Sequence, residues 1–371
     1  MSAAGVARAA LVPSLVGLVS VAVYRSTLLP GVGLWDTAEF QTVGPLLGTA
    51  HPTGYPAYVV LGWLASTILE PLGSPAFRMN LLSAALVALA AGVLAALVRA
   101  LTGRASVALA VGLGFAATPA AWGVSTRADP HALHVALVAI LLALLVAWAT
   151  RRERSAPTAD RWLLGTAVAL GVSLANQALT VFLVPAIGLY VSAVEPGIVR
   201  RVRFLAALGA VVAGVAGLLY LELPLRAGPF RAPLVYGHPE TWDGFWYVVL
   251  GQQFRGDFQA DGGLAGVVGE LVSVAAAELG PLALLLPVAF AVAAVRRPAF
   301  ALLTGLPFGA TVAFASVYVN AWIERYYLGP LVIAWVWLGI LGAAVLDALE
   351  RSRGAAAMPG ADPARADPAD P

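Results

Sequence analysis

The chain contains no cysteine, and no lysine either: all 22 of its basic side chains other than histidine are arginine. Without cysteine there is no disulfide framework, no thiolate metal site and no thiol nucleophile. Without lysine there is no Schiff-base amine and no phosphate-loop lysine. Charge of either sign is scarce, at 11% of the 371 residues, against 60% hydrophobic residues. No soluble globular domain of this length has that balance, so the bilayer must be the solvent. The net charge of +2 says little about partners, and nucleic acid is not among those expected.

Apolar runs long enough to cross a membrane fall near 9–28, 79–101, 105–124, 131–150, 204–223, 273–295, 298–318 and 327–348. The first run is not closed by a small-x-small cleavage signal, so it reads as a retained span. The run from Trp162 to Ala193 is too long for one span and too short for two full ones. Asn176-Gln177 lies near its middle, which suggests two short or broken helices meeting at that polar pair. The expectation is an all-α polytopic membrane protein of about ten transmembrane helices over 1–350. A tail of Ala, Pro, Gly and Asp follows over 351–371; it has no packable face and is expected to be disordered and cytoplasmic.

Orientation follows from arginine. Arg99/Arg104, Arg151/Arg152/Arg154/Arg161, Arg200/Arg201/Arg203, Arg296/Arg297 and Arg351/Arg353 all fall on one side under this count. The positive-inside rule makes that side the cytoplasm, with both termini on it and an even number of spans. The outer side then carries two long connections, 29–78 and 224–272, and short ones near 125–130 and 319–326. In the first, Ala57–Leu69 is apolar but too short to span, and reads as an interfacial or re-entrant helix. In the second, Trp242, Phe245 and Trp246 share one helical face, as a helix lying in the interface requires.

Polar reactivity gathers on that outer side. Trp35-Asp36-Thr37-Ala38-Glu39-Phe40 follows the first span, and His51-Pro52-Thr53-Gly54-Tyr55-Pro56 follows soon after. Ionisable groups beside the hydrocarbon are costly unless paired or used. Asp36 and Glu39 fit a helix capping box, with Asp36 as N-cap and Glu39 at the third helical position. They equally fit a site in which Asp36 is a general base exposed to a cleft. His51 and Tyr55 sit where they could hydrogen-bond a polar substrate, or simply in a rigid lead-in to the Ala57 helix. His131 and His134, beside Asp129, could pair on a metal but lack a clear third ligand. The outer arginines Arg78, Arg127, Arg226, Arg231, Arg255 and Arg325 run against the positive-inside bias. Each could close an ion pair, meet lipid headgroups or bind phosphate; Arg226 and Arg325, nearest the span ends, are the favoured phosphate ligands.

The pattern Asp36-Thr37-Ala38-Glu39-Phe40, Gly48-Thr49-Ala50 and His51-Pro52-Thr53-Gly54-Tyr55-Pro56 resembles the bacterial relatives of the eukaryotic transmembrane O-mannosyltransferase of plexin-type receptors. That family belongs to the GT-C class of membrane glycosyltransferases. Arg78-Met79-Asn80-Leu81-Leu82-Ser83-Ala84 is similar to the segment opening the second span in that class. Leu223-Pro224-Leu225-Arg226, Gly237-His238-Pro239-Glu240-Thr241-Trp242 and Gly251-Gln252-Gln253-Phe254-Arg255-Gly256 resemble the family's second outer loop. Two places depart from it. Asp129-Pro130-His131-Ala132-Leu133-His134 stands where Glu-x-Tyr-Ala-Leu-Asn is expected, and Asn176-Gln177 where relatives often have Asn-His. The likeness, over roughly 10–345, leaves out the soluble C-terminal repeat domain of the eukaryotic member.

The resemblance implies a GT-C-like bundle with interfacial helices in the first outer loop, set in the inner membrane with its active site on the outer face. It also implies inverting transfer of a sugar, mannose by family, from a polyprenyl-phosphate donor to a protein, lipid or glycan hydroxyl. Asp36 would be the base, with Glu39 beside it. Arg226, Arg325 and Arg255 would hold the donor phosphate, and His51, Tyr55, Asp129, His131, Gln253 and Tyr326 would bind substrate. No metal ligand set is evident, and a divalent cation stays open. A secondary transporter or lipid-linked-sugar flippase is the competing expectation, resting on the broken run at Asn176-Gln177. A structural membrane subunit is the third.

Overall fold

The computed structural model describes residues 3–258, 263–319 and 322–356. Helix α1 (Ala3–Ser26) leads into two short helices, α2 (Asp36–Leu46) and α3 (Pro56–Ile68). Then follow α4 (Pro75–Thr102), α5 (Ala105–Ala116), α6 (Pro119–Ser125) and α7 (His131–Glu153). The next group is α8 (Ala159–Leu174), α9 (Leu183–Val194), α10 (Val202–Tyr220), α11 (Glu222–Ala227) and α12 (Trp242–Val249). The last four are α13 (Gly263–Leu279), α14 (Leu286–Arg296), α15 (Pro298–Ala315) and α16 (Leu328–Ala356). No β-strand occurs among the described residues; one isolated bridge joins Phe258 and Tyr318.

Among these residues, seven helical stretches are long and apolar enough to cross a membrane. The pair α5–α6, bent by 65°, makes an eighth. These coincide with the eight runs read from hydropathy. The ambiguous run is broken as expected: α8 stops at Leu174, and a 3₁₀ turn over Ala178–Phe182 leads into α9. The halves are about 24 and 28 Å long, short of the roughly 30 Å hydrocarbon core. Ten spans are therefore reached only by counting both halves.

Burial divides the helices into an inner and an outer set. The apolar windows of α4 and α7 are 72% and 78% buried in protein, whereas no residue of α10 is buried. A helix apolar all round and uncovered by protein has lipid for its partner. Helix α4 is the hub, packing against α1, α5 and α7, and carrying fully buried Val87, Ala91, Leu94 and Val98.

The two ends of the bundle differ chemically. At one end Arg104 bridges Asp347 and Glu350 at 2.6 and 2.7 Å, and Arg296 reaches Asp347 at 3.1 Å. Arg152 pairs with Glu195, and Arg201 with Asp160. At the other end of α4, Asn80 Oδ1 accepts from Gln41 Nε2 at 2.9 Å and from the Ala128 amide at 2.8 Å. Its Nδ2 donates to the Leu29 carbonyl at 2.8 Å. Asn80 thus ties the segment after α1, helix α2 and the turn before α7 together. Helix α16 continues to Ala356, so the first part of the segment expected as a tail from 351 is helical. Residues 357–371 of that tail lie outside the described residues.

Candidate active site

Helix α2 is too short and too polar to span, and it packs against α3 and α4. Asp36 is its first residue, with Trp35 before it at φ 56° and no side-chain cap. The capping-box expectation is thereby corrected. Neither Asp36 nor Glu39 closes the helix on itself; both carboxylates, one turn apart, reach tertiary partners instead. The helix N-terminus still favours their negative charge.

Glu39 is fixed by the second motif. Its Oε1 accepts the His51 amide at 2.7 Å and its Oε2 meets His51 Nδ1 at 2.6 Å. His51 is held by a turn in which the Gly54 amide donates to the His51 carbonyl at 2.8 Å. Gly54 sits at φ 85°, and a Cβ there would meet Leu223 at 3.0 Å, so only glycine fits. Trp35 and Tyr55 occupy the left-handed region without being glycine, at φ 56° and 46°. Strain of this kind collects where surroundings over-determine a functional geometry. The rings of Phe40, Tyr55, Tyr236 and Phe254 pack edge-on around His51 or one another.

Asp36 is fixed from the far end of the chain. Arg325, in the turn Ile323–Tyr327 before α16, donates through Nη1 and Nη2 to Asp36 Oδ2, both at 3.1 Å. The same Nη1 reaches Asp129 Oδ2 at 3.4 Å. Asp129 Oδ1 accepts the His131 amide and His131 Nδ1, each at 2.9 Å. The Asp129 amide donates to Tyr58 Oη at 3.1 Å and Ser83 Oγ at 3.2 Å. His131 Nε2 meets Gln177 Nε2 at 2.9 Å, and Asn176 Nδ2 donates to the Pro130 carbonyl at 3.1 Å. The polar break in the Trp162–Ala193 run is therefore part of this network.

These contacts separate the carboxylates by role. Burial alone would raise the Asp129 pKa, but His131 and Arg325 outweigh it and hold that carboxyl far below the usual range. Asp129 is a fixed anion, 2% exposed, whereas Asp36 is 34% exposed. Burial pulls the His51 pKa down, yet its hydrogen bond and charge contact with Glu39, aided by Asp36, bring the net shift upward. Burial pushes the Tyr55 hydroxyl up, so it stays protonated and able to donate.

Three adjoining cavities meet here. One of about 310 Å³ is lined by Asp36, Glu39, His51, Tyr55, His131, Gln253, Phe254, Arg325 and Tyr326. A larger one, about 540 Å³, shares Asp36, Trp322 and Arg325 with it and adds Trp35, Arg127 and the 29–34 backbone. A third, about 240 Å³, shares Tyr55, Phe254 and Tyr326 with the first. It is mostly apolar, with Arg255 and Gln177 in its wall. Most of the expected site residues are thus brought together, with Asp129 buried just behind them.

Arg226 is not with them. Its Nε and Nη2 donate to the carbonyls of Leu47 and Leu46 at 2.7 and 3.3 Å, closing the C-terminal end of α2. Expected as a phosphate ligand, it is engaged by backbone carbonyls and lines none of the three cavities. His131 and His134 do not converge on a metal either, since His131 is turned to Asp129 and Gln177. One grouping of potential cation ligands occurs among the described residues, Asp36, Glu39 and His51, whose donor atoms lie within 4.8 Å of one another. Trp322 was not expected at the site; Arg127 was singled out only among the outer arginines, Gln177 only as part of the break in the Trp162–Ala193 run, and Trp35 only as the aromatic adjoining the aspartate.

An all-helical polytopic bundle with this layout has the GT-C fold of membrane glycosyltransferases. It is similar to ArnT from Cupriavidus metallidurans bound to undecaprenyl phosphate, with TM-score 0.61 and 18% identity over 95% of this chain and 62% of that one. It is also similar to the archaeal oligosaccharyltransferase AglB from Archaeoglobus fulgidus, in complex with an inhibitory peptide and a dolichol-phosphate. There the TM-score is 0.59 and the identity 15%, over 97% of this chain and 53% of that one. Residues 36–196 match the Protein O-mannosyl-transferase TMEM260 N-terminal domain. The mouse protein O-mannosyl-transferase TMEM260 (Mus musculus) is 33% identical over 234 residues. That match covers 60% of this chain and 31% of the mouse protein, so the chain spans about a third of this relative's length.

Proposed function

We propose that the chain transfers a sugar, with inversion, from a polyprenyl-phosphate carrier to an acceptor hydroxyl, with Asp36 as general base. The observation that carries this reading is the position of Asp36 in the wall common to two cavities. Its Oδ2 is held by Arg325, and among the described residues no hydrogen bond engages Oδ1. A base must be oriented and accessible, and Asp36 is both. Asp129 is excluded from that role by its burial and its depressed pKa.

The donor fits the 310 Å³ and 240 Å³ cavities, where apolar walls suit an isoprenoid and Arg255 and Arg325 suit its phosphate. His51, Tyr55, Gln253 and Tyr326 line the space left for the sugar; Gln253 is oriented by Tyr236 Oη, which donates to it at 2.8 Å. The acceptor enters from the 540 Å³ side, past Trp35, Arg127 and Trp322. Its hydroxyl gives its proton to Asp36 while the oxygen bonds to the anomeric carbon. The bond from that carbon to the phosphate oxygen breaks, and polyprenyl phosphate leaves with the electron pair. Arginine stabilises that departing charge, so no strong general acid is needed. Asp36, Glu39 and His51 form a donor set suited to a divalent cation, which when bound would screen phosphate charge.

Mannose is the sugar that the family resemblance favours, and a protein, lipid or glycan hydroxyl the acceptor. The positive-inside bias of the arginine-rich end supports an inner-membrane protein with both termini cytoplasmic and this site on the outer face. The test is incubation of the purified protein in lipid vesicles with polyprenyl-phosphate-linked radiolabelled mannose and candidate acceptors. Label on a new acceptor supports transfer. Label that crosses the vesicle membrane without changing carrier supports the transporter reading.

A further inference from the structure

Gln177 lies in the break between α8 and the following 3₁₀ turn, 4% exposed, and touches both halves of the site. One side of it lines the apolar 240 Å³ cavity; the other meets His131 Nε2 at 2.9 Å. On the opposite edge of that ring, Nδ1 faces Asp129 Oδ1 at 2.9 Å. A carboxylate oxygen only accepts, so Nδ1 carries a proton. Two states remain for the ring. If the Gln177 amide nitrogen faces Nε2, it donates to a lone pair and the imidazole is neutral. If the amide is reversed, its oxygen requires a proton on Nε2, and the ring is a cation.

The surroundings decide between the two. His131 is 2% exposed, and the other oxygen of Asp129 already faces the Arg325 guanidinium at 3.4 Å and Arg127 at 4.0 Å. Asp129 and Asp36 balance those two cations, and a third one buried on Asp129 would lack a counter-charge of its own. The geometry points to Gln177 as a positioning residue: by occupying the Nε2 lone pair of His131 it keeps that ring neutral. Asp129 then remains a full anion facing Arg325, and Arg325 is shared between Asp129 and Asp36. A charged His131 would neutralise Asp129, release Arg325 toward Asp36 and weaken Asp36 as a base. The effect on turnover rests on the proposed role of Asp36; the protonation state of His131 does not.

The test uses the full chain in lipid nanodiscs with ¹⁵N-labelled histidine, one of four histidines being assigned to His131 by loss of its signals in His131→Asn. The expected result is one protonated and one bare nitrogen in the parent protein, and two protonated nitrogens in Gln177→Glu, whose carboxylate accepts from Nε2. An imidazolium in the parent, or a neutral ring in Gln177→Glu, overturns the inference even with no donor added. In transfer assays Gln177→Glu should lower kcat roughly 10–100-fold, the range seen when a partner one shell from a site is changed. Gln177→Leu, which removes the donor without supplying an acceptor, should charge the ring less fully than Gln177→Glu and lower kcat less. A loss confined to donor KM, equal in both variants, would reduce Gln177 to a wall of the cavity and contradict the inference.

Discussion

Arg325 and Asp36 stand 289 positions apart in the chain and meet through both terminal guanidinium nitrogens at 3.1 Å. The contact joins the start of the first short helix to the start of the last span. It leaves one oxygen of a partly exposed carboxylate facing the cavities. Asp36→Asn keeps the size and can still accept from Arg325 through its carbonyl, but it cannot take a proton. Transfer should fall about 10²–10⁴-fold with folding and membrane insertion unchanged. Initial rates and size-exclusion profiles of the two proteins check this.

Removing the other partner has a different signature. Arg325→Ala takes the nearer arginine from Asp129, which is 2% exposed and keeps only Arg127, at 4.0 Å, as an arginine partner. Breaking a buried pair from one side costs about 3–5 kcal/mol. Thermal unfolding in detergent should show that loss together with lost activity, whereas Asp36→Asn should show only the second.

Arg226→Ala should lower stability by about 1–3 kcal/mol, because two carbonyls at the end of α2 lose a charged donor. Donor affinity measured by lipid-phosphate titration should hardly change. A marked loss of donor affinity with unchanged stability would restore Arg226 as a phosphate ligand.

The Glu39–His51 contact sets a pH dependence of stability. Its net effect is to raise the His51 pKa above its unfolded value near 6.5, so within that window the folded chain binds more protons than the unfolded one. The contribution is fully present below the unfolded pKa and disappears as pH rises through the folded one. His51→Gln should therefore flatten the fall in thermal stability between pH 6.5 and the alkaline side. An identical pH slope in both proteins would contradict the assignment.

The spans were legible because hydropathy and length are local quantities, and the eight runs fall on helices long and apolar enough to cross a membrane. The motif around Asp36 and His51 was legible as chemistry, because Glu39 and His51 are only 12 positions apart and bounded by proline and glycine. What could not be read is pairing at a distance. Nothing near Arg325 names Asp36 as its partner, and Arg226, equally close to a span end, looked the same while its guanidinium goes to backbone carbonyls. Gln177 was visible only as a break in an apolar run. Its contact with His131 needs α7 and α8 folded side by side.

The most direct measurement is transfer of labelled mannose from polyprenyl phosphate by the parent protein and by Asp36→Asn in the same vesicles, with the anomeric configuration of the product determined. The account predicts an inverted product from the parent and almost none from the variant. Retained configuration, or parent-like turnover by Asp36→Asn, would contradict it.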